Sequence, residues 1–212
     1  ILGELGVNLG PVLVPVGLAS LAIGFAAQNV VRDYLNGFFI LIEDWYRVGE
    51  VVNVAGIDGL VVEMSLRRTV LRDLNGVLHS IPNSKIELAS NMTRDWASIN
   101  LNVAVGYGEN LDHVFLVIDE VGQQLMDDPA FGPDLLTAPH AERVENLGDS
   151  GIEIRVTADT KPIQQWALAG ELRKRLKERF DQEGIEMPWP HTKLYFGNAL
   201  TSRGPLAGKE AS

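Results

Sequence analysis

The sequence predicts a membrane α plus α+β protein. Three observations predict it: an uncharged apolar stretch near the N-terminus, a switch to period-two alternation from Val51, and a β-α-β-β-α-β order of patterns over the second half. No residue from Leu5 to Val31 is charged. That is about 27 residues, roughly 40 Å as a helix, against a bilayer core of about 30 Å. Pro11 and Pro15 break up its first part, so the helix is expected to start near Pro15. A buried helix of a soluble domain is the alternative reading of this stretch.

The residues of the stretch sharpen the reading. Gly17, Ala19, Ser20, Ala22, Gly24, Ala26 and Ala27 are all small. Glycine costs a soluble helix about 1 kcal/mol relative to alanine. Membrane helices use small residues because they let backbones approach closely. Ser20 and Gly24, and Ala22 and Ala26, are small-xxx-small pairs, while Leu21 and Phe25 are four apart on one face. Small residues beside a narrow bulky stripe suggest several copies of one helix packed in a ring, with the stripe toward the axis.

After Gln28 and Asn29, Val30, Val31, Tyr34, Leu35, Phe38, Phe39 and Ile42 recur at helical spacing, with Arg32, Asp33, Asn36 and Glu43 on other faces. This is an amphipathic helix, suited to a membrane interface or to an ordinary core. Asn29 and Gly37 are the bend points it offers. From Val51 the strands shorten. Asp58-Gly59 and Asn75-Gly76 are the expected turns, and the run to about Trp96 predicts a small β-barrel over residues 46–97.

The remainder predicts a strand at 99–107, a helix at 111–126, strands at 141–147 and 152–158, a helix at 162–183 and a strand at 192–196. The apolar face of the first helix is Leu111, Val114, Phe115, Ile118, Val121 and Leu125. That of the second is Ile163, Trp166, Leu172, Leu176 and Phe180, with Gly184 as its stop. This order defines a ferredoxin-like αβ domain.

Charge and composition exclude several functions. The net charge of −10 argues against nucleic acid, which needs a basic face. Arg173, Lys174, Arg175, Lys177 and Arg179 alternate with Glu171, Glu178 and Asp181, as on a solvated helix. There is no cysteine, hence no disulfide and no thiolate site. His79, His113, His140 and His191 lack metal-ligand spacing, and no phosphate loop or nucleophile elbow is present. No catalytic residue, metal or cofactor is expected. The chain begins at Ile1 without a signal-peptide pattern, and is expected to be a piece of a longer protein.

The order of elements and several motifs carry a resemblance. An A-x-Q step at Ala26–Gln28 is followed by "NGFFILIEDWYRVGEVVNVAGIDGLVVEMSLRRTVLRDLNGVLHSIPNSKI", with R-x-G-E, G-x-x-G, T-x-L-R, N-G and I-P-N-S elements. This resembles the small-conductance mechanosensitive channel (MscS) family over about residues 14–196. The resemblance implies a homoheptameric channel of the bacterial inner membrane, opened by tension to release ions and small solutes on osmotic downshock. It implies a pore-lining transmembrane helix (1–28), an interfacial amphipathic helix (29–45), an Sm-like β-barrel (46–97) and a cytoplasmic ferredoxin-like vestibule domain (98–198), then a flexible tail (199–212). It also implies that residues 192–196 join a small terminal barrel, and that earlier membrane helices precede this chain.

Aligned on Gln28, the two rings of the pore gate fall on Leu21 and Phe25, the second a departure from leucine. The helix-packing positions fall on Gly17, Ser20, Ala22 and Gly24. The hinges fall on Asn29, where glycine is usual, and Gly37. Partners are membrane lipids, other copies of the chain and permeant ions. Most of the net charge lies beyond Val48, so two readings stand side by side: an acidic chamber with a modest cation preference, or carboxylates that only keep the outer surface soluble. A soluble Sm-like/ferredoxin-like binding module is the alternative, and a small enzyme has no site to point to.

Overall fold

The computed structural model describes residues 10–190, with side chains from residue 13. Its first element, α1, is one helix of 33 residues, Gly10–Ile42. It begins before Pro15, contrary to the expected start. Pro11 lies in the first turn, where backbone N–H groups have no intrahelical partner, and Pro15 removes one later bond without ending the helix. The expected membrane and amphipathic helices are therefore continuous, with helix assigned through both Asn29 and Gly37. Residues Leu13–Ile42 are long and apolar enough to cross a membrane, and an 18-residue apolar stretch within them has no residue buried by the rest of the chain.

Strands β1 (Val51–Val54), β2 (Ile57–Met64), β3 (Arg68–Arg72), β4 (Leu78–Pro82) and β5 (Ala89–Asn91) form one sheet in the order β4-β3-β2-β1-β5. Adjacent strands are antiparallel. Strands β4 and β5 are the two edges, so the ladder is open where a closed barrel was expected. Strand β5 has only three residues, and β4 ends at Pro82, which has no N–H to donate.

The first hairpin corrects the sequence reading. Val54 pairs with Ile57, so the turn is Ala55-Gly56, and both residues have positive φ, 52° and 78°. Such a turn matches the twist of the flanking strands. Asp58 and Gly59 lie inside β2 instead. Gly59 is needed for close approach: a Cβ there would sit 2.8 Å from the Arg72 carbonyl oxygen. Asn75-Gly76 does lie in the β3–β4 hairpin. Its loop is organised by Asp73, whose Oδ1 accepts from the N–H groups of Asn75 and Val77, both at 2.9 Å.

The second half follows the predicted order as β6 (Ala97–Val105), α2 (Leu111–Met126), β7 (His140–Leu147), β8 (Ile152–Thr160) and α3 (Gln165–Glu183). The sheet order is β6-β8-β7, with antiparallel neighbours. Strands β6 and β8 bury alternate residues, and α2 and α3 pack on them to form one apolar core. Asn110 caps α2 through its side chain, and Gly184 ends α3 at φ 72°.

Helix α3 starts later than expected because Ile163 has φ 73°. Ile163 and Trp166, expected on its apolar face, are exposed, and Leu168 and Ala169 take their place in the core. The strand expected at 192–196 and the tail at 199–212 lie outside the described residues.

Candidate pore face and its coupling junction

Side chains 13–32 of α1 are exposed or half-buried throughout. Leu21 is 60% exposed and Phe25 74%. Gly17, Ser20, Leu21, Gly24, Phe25 and Gln28 line one open groove along this part of the helix. At about 100° per residue, Gly17, Ser20 and Gly24 lie on one flank of the Leu21–Phe25 stripe, and Ala22 and Ala26 on the other. A Cβ added at Gly17 or Gly24 meets nothing within 4 Å, so nothing inside this chain requires a glycine there. Ser20 satisfies its hydroxyl within the helix, donating to the Val16 carbonyl at 2.8 Å. A serine bonded in this way can sit between apolar helices without an orphaned donor.

Below Arg32 the helix docks onto its own sheet, and it does so by its less apolar side. Asp33, Gly37 and Ile40 are buried, while Tyr34, Leu35, Phe38, Leu41 and Ile42 face away. The Asp33 carboxylate accepts the Ser84 N–H at 2.8 Å, and the Asn36 amide donates to the Asn83 carbonyl at 3.1 Å. Gly37 fits against the link between β2 and β3. A Cβ there would come within 2.0 Å of the Leu66 carbonyl oxygen. Gly37, expected only as a hinge, is thus a contact glycine.

Asn83 is the hub on the sheet side and is 1% exposed. Its Nδ2 donates to the Ser65 carbonyl at 2.9 Å, and its Oδ1 accepts from the Thr69 hydroxyl at 3.1 Å. Thr69 in turn meets the Tyr46 hydroxyl at 2.9 Å. Burial pushes the Tyr46 phenol up, so it stays a neutral hydroxyl. The sequence singled out I-P-N-S as a motif but gave Asn83, Ser84, Asp33, Tyr46 and Thr69 no role. A lone acid inside an apolar helix was the available signal, since such a group needs a partner.

A second tie follows the helix end. Asp44, at φ 55°, receives the Arg47 guanidinium at 2.9 Å, and Arg94 donates to the Asp44 backbone carbonyl. Arg47 holds the Asp44 carboxyl below the usual carboxylate range. Glu50 accepts from Asn91 at 2.6 Å. The chain leaving α1 is thereby fastened to the end of β5 and the segment after it.

Among the described residues no group of three or more His, Asp or Glu side chains is placed to hold a metal ion. His79 meets Asp73 at 3.1 Å, and His113 meets Glu183, which Arg179 also engages, at 3.7 Å. Three of the five basic residues of α3 are matched: Arg175 to Glu171 and Asp128, Lys177 to Asp181, Arg179 to Glu120 and Glu183.

A long apolar helix, uncovered over its first two thirds and fastened to a β-sheet that an αβ domain follows, has the build of a membrane protein of mixed α and α+β class. Comparison with known proteins gives it a family. Residues 29–94 match the model described as mechanosensitive ion channel, beta-domain, and residues 99–187 the model described as mechanosensitive ion channel MscS, C-terminal. The chain is 35% identical over 202 residues to the small-conductance mechanosensitive channel of Caldanaerobacter subterraneus subsp. tengcongensis, covering 95% of this chain and 71% of that protein. It is 30% identical over 206 residues to the moderate conductance mechanosensitive channel YbiO of Escherichia coli, covering 97% of this chain and 28% of that protein. Its fold matches the closed-state crystal structure of Helicobacter pylori MscS with a TM-score of 0.77 at 20% identity, over 93% of this chain and 78% of that one.

The chain belongs to the MscS family of mechanosensitive ion channels. It is a membrane channel protein and not an enzyme.

Proposed function

We propose that seven copies of this chain form a channel opened by lateral membrane tension, which releases ions and small solutes when external osmolarity falls. The observation that carries this reading is α1 itself. Its apolar residues before Arg32 are uncovered in one chain, and its small residues flank a single Leu21–Phe25 stripe. Copies packed through Gly17, Ser20, Ala22 and Gly24 would turn that stripe to a common axis. Rings of Leu21 and Phe25 then form a hydrophobic constriction that excludes water when narrow and wets when the helices part.

In this reading residues 1–28 line the pore, and residues 29–45 lie along the membrane interface, bending at Asn29 and Gly37 as the pore opens. Residues 46–97 form an Sm-like layer and 98–198 a ferredoxin-like vestibule in the cytoplasm of a bacterial cell, with 199–212 as a tail. The outward apolar face of Tyr34, Leu35, Phe38 and Ile42 supports the interfacial placement. The charge of −10 supports an acidic vestibule with a modest preference for cations, larger at low salt. A soluble binding module would leave the apolar residues of α1 in water, which disfavours that alternative.

Patch recording of the full-length protein under suction tests the proposal. Currents should rise steeply with suction. Channels that open without tension, or never open, would overturn it. Reversal potentials in a salt gradient test the vestibule: an anion-selective shift removes the acidic-chamber reading.

A further inference from the structure

Two side-chain amides sit at the lower end of the pore stretch with nothing to bond to. Gln28 and Asn29 are exposed, and neither has a hydrogen-bond partner among the described residues. The helix satisfies its own backbone here, so both amides are spare. Each carries two donors and an acceptor oxygen. Amides left unpaired between apolar helices are costly, and Asn and Gln in membrane helices bond across to neighbours.

Their angular positions are complementary. Measured from the middle of the Leu21–Phe25 stripe, Gln28 lies about 40° to one side and Asn29 about 60° to the other. Gln28 shares its flank with Gly17, Ser20 and Gly24, and Asn29 shares the opposite flank with Ala22 and Ala26. In a ring of identical helices, one flank of each copy faces the other flank of the next. The two amides differ in height by about 1.5 Å, which a side-chain amide can span.

We propose that Gln28 of each protomer hydrogen-bonds Asn29 of its neighbour, forming a ring of amide pairs one turn below Phe25 that holds the closed pore together. The inference rests on the reading of α1 as a pore-lining helix in a ring. It commits to a second copy of this chain as the partner. It also gives Asn29 a role that a bend does not require, because a glycine there could not form the pair.

These 212 residues contain no cysteine, so they add no thiol background of their own. Two tagged copies of the full-length protein, one Gln28→Cys and the other Asn29→Cys, are expressed together and oxidised in the membrane with copper phenanthroline. The expected product is a disulfide-linked dimer carrying both tags. Only same-tag links between Gln28→Cys copies would put that position on the axis and overturn the pairing while leaving the ring intact. An assembled ring with no link of any kind would also overturn it. A wild-type chain that is monomeric in detergent would overturn the ring reading itself.

Tension thresholds provide the second arm if the thiol variants assemble poorly. Gln28→Ala and Asn29→Ala should each lower the threshold, the double variant should lower it no further than the larger single, and the exchanged pair Q28N/N29Q should recover much of the loss. Additive shifts, or no recovery, would contradict the pairing.

Discussion

Helices α1 and α2 both carry bulky apolar residues at helical spacing, yet only α2 covers them with its own chain. Val114, Ile118 and Leu125 of α2 are 0% exposed, against 60% for Leu21 and 74% for Phe25 of α1. The apolar stripe of α2 is complete once β6, β8 and α3 pack on it. That of α1 needs cover from outside the chain, which in a channel means lipid and other copies. Within α1 the logic reverses at Asp33, where the polar and small side turns inward to the sheet and the apolar side turns out. One helix therefore joins a region whose partners are external to a region whose partners are internal, and in the proposed channel it would carry motion from the membrane to the sheet.

Glycine substitutions would break this comparison most forcefully. Gly37→Leu should damage the single chain, because its side chain must enter the Leu66 backbone. A cost above about 3 kcal/mol is expected, beyond ordinary overpacking, with little folded protein recovered. Gly24→Leu should leave the chain folded, since nothing within it meets a Cβ there, but prevent normal assembly of the proposed ring, which packs Gly24 against a neighbouring copy. Yield and sedimentation of the two variants check this: a folded, assembled Gly37→Leu protein, or a normally assembled Gly24→Leu protein, would erase the distinction.

The junction comes next in size. Asn83→Ala leaves the Ser65 carbonyl and the Thr69 hydroxyl without their partner, a loss of about 2–3 kcal/mol in chemical denaturation. Asp33→Ala removes the acceptor for Ser84 N–H at a smaller cost of about 1–2 kcal/mol. It should change how steeply opening depends on tension more than it changes stability. An unchanged steepness would mean the tie carries no motion.

Much of this division is legible in the sequence, and the exceptions have physical causes. Periodicity finds α2 and its buried face because that face is covered locally. It finds the apolar residues of α1 but not which side docks, since docking there uses Asp33, Asn36 and Gly37 rather than the stripe. The contact between Asp33 and Ser84 joins residues 51 apart, beyond any local pattern. Asp58-Gly59 resembles a turn by composition, yet the positive φ values fall on Ala55 and Gly56, and Gly59 serves the approach of β3. Trp166 counts as apolar at helical spacing but lies on the rim of the sheet–αβ junction, beside Met92 and Leu74.

The smallest effect belongs to the internally packed region. Arg175, hydrogen-bonded to Asp128, holds that carboxyl below the usual range. A lowered folded value means the pair contributes stability above the unfolded carboxylate value of about 3.9 and loses it as pH falls through the folded value. Thermal melts of the wild-type protein should therefore decline more steeply in acid than those of Arg175→Met. Parallel declines would show that the pair adds nothing.

The central claim is that the uncovered stripe of α1 becomes the gate, and the opening tension of Phe25→Ser in a patch under suction tests it most directly. A hydroxyl on the axis makes the constriction easier to wet, so these channels should open at lower tension than wild type. An equal or higher threshold, with normal assembly, would place Phe25 against a neighbouring helix or lipid and contradict the account.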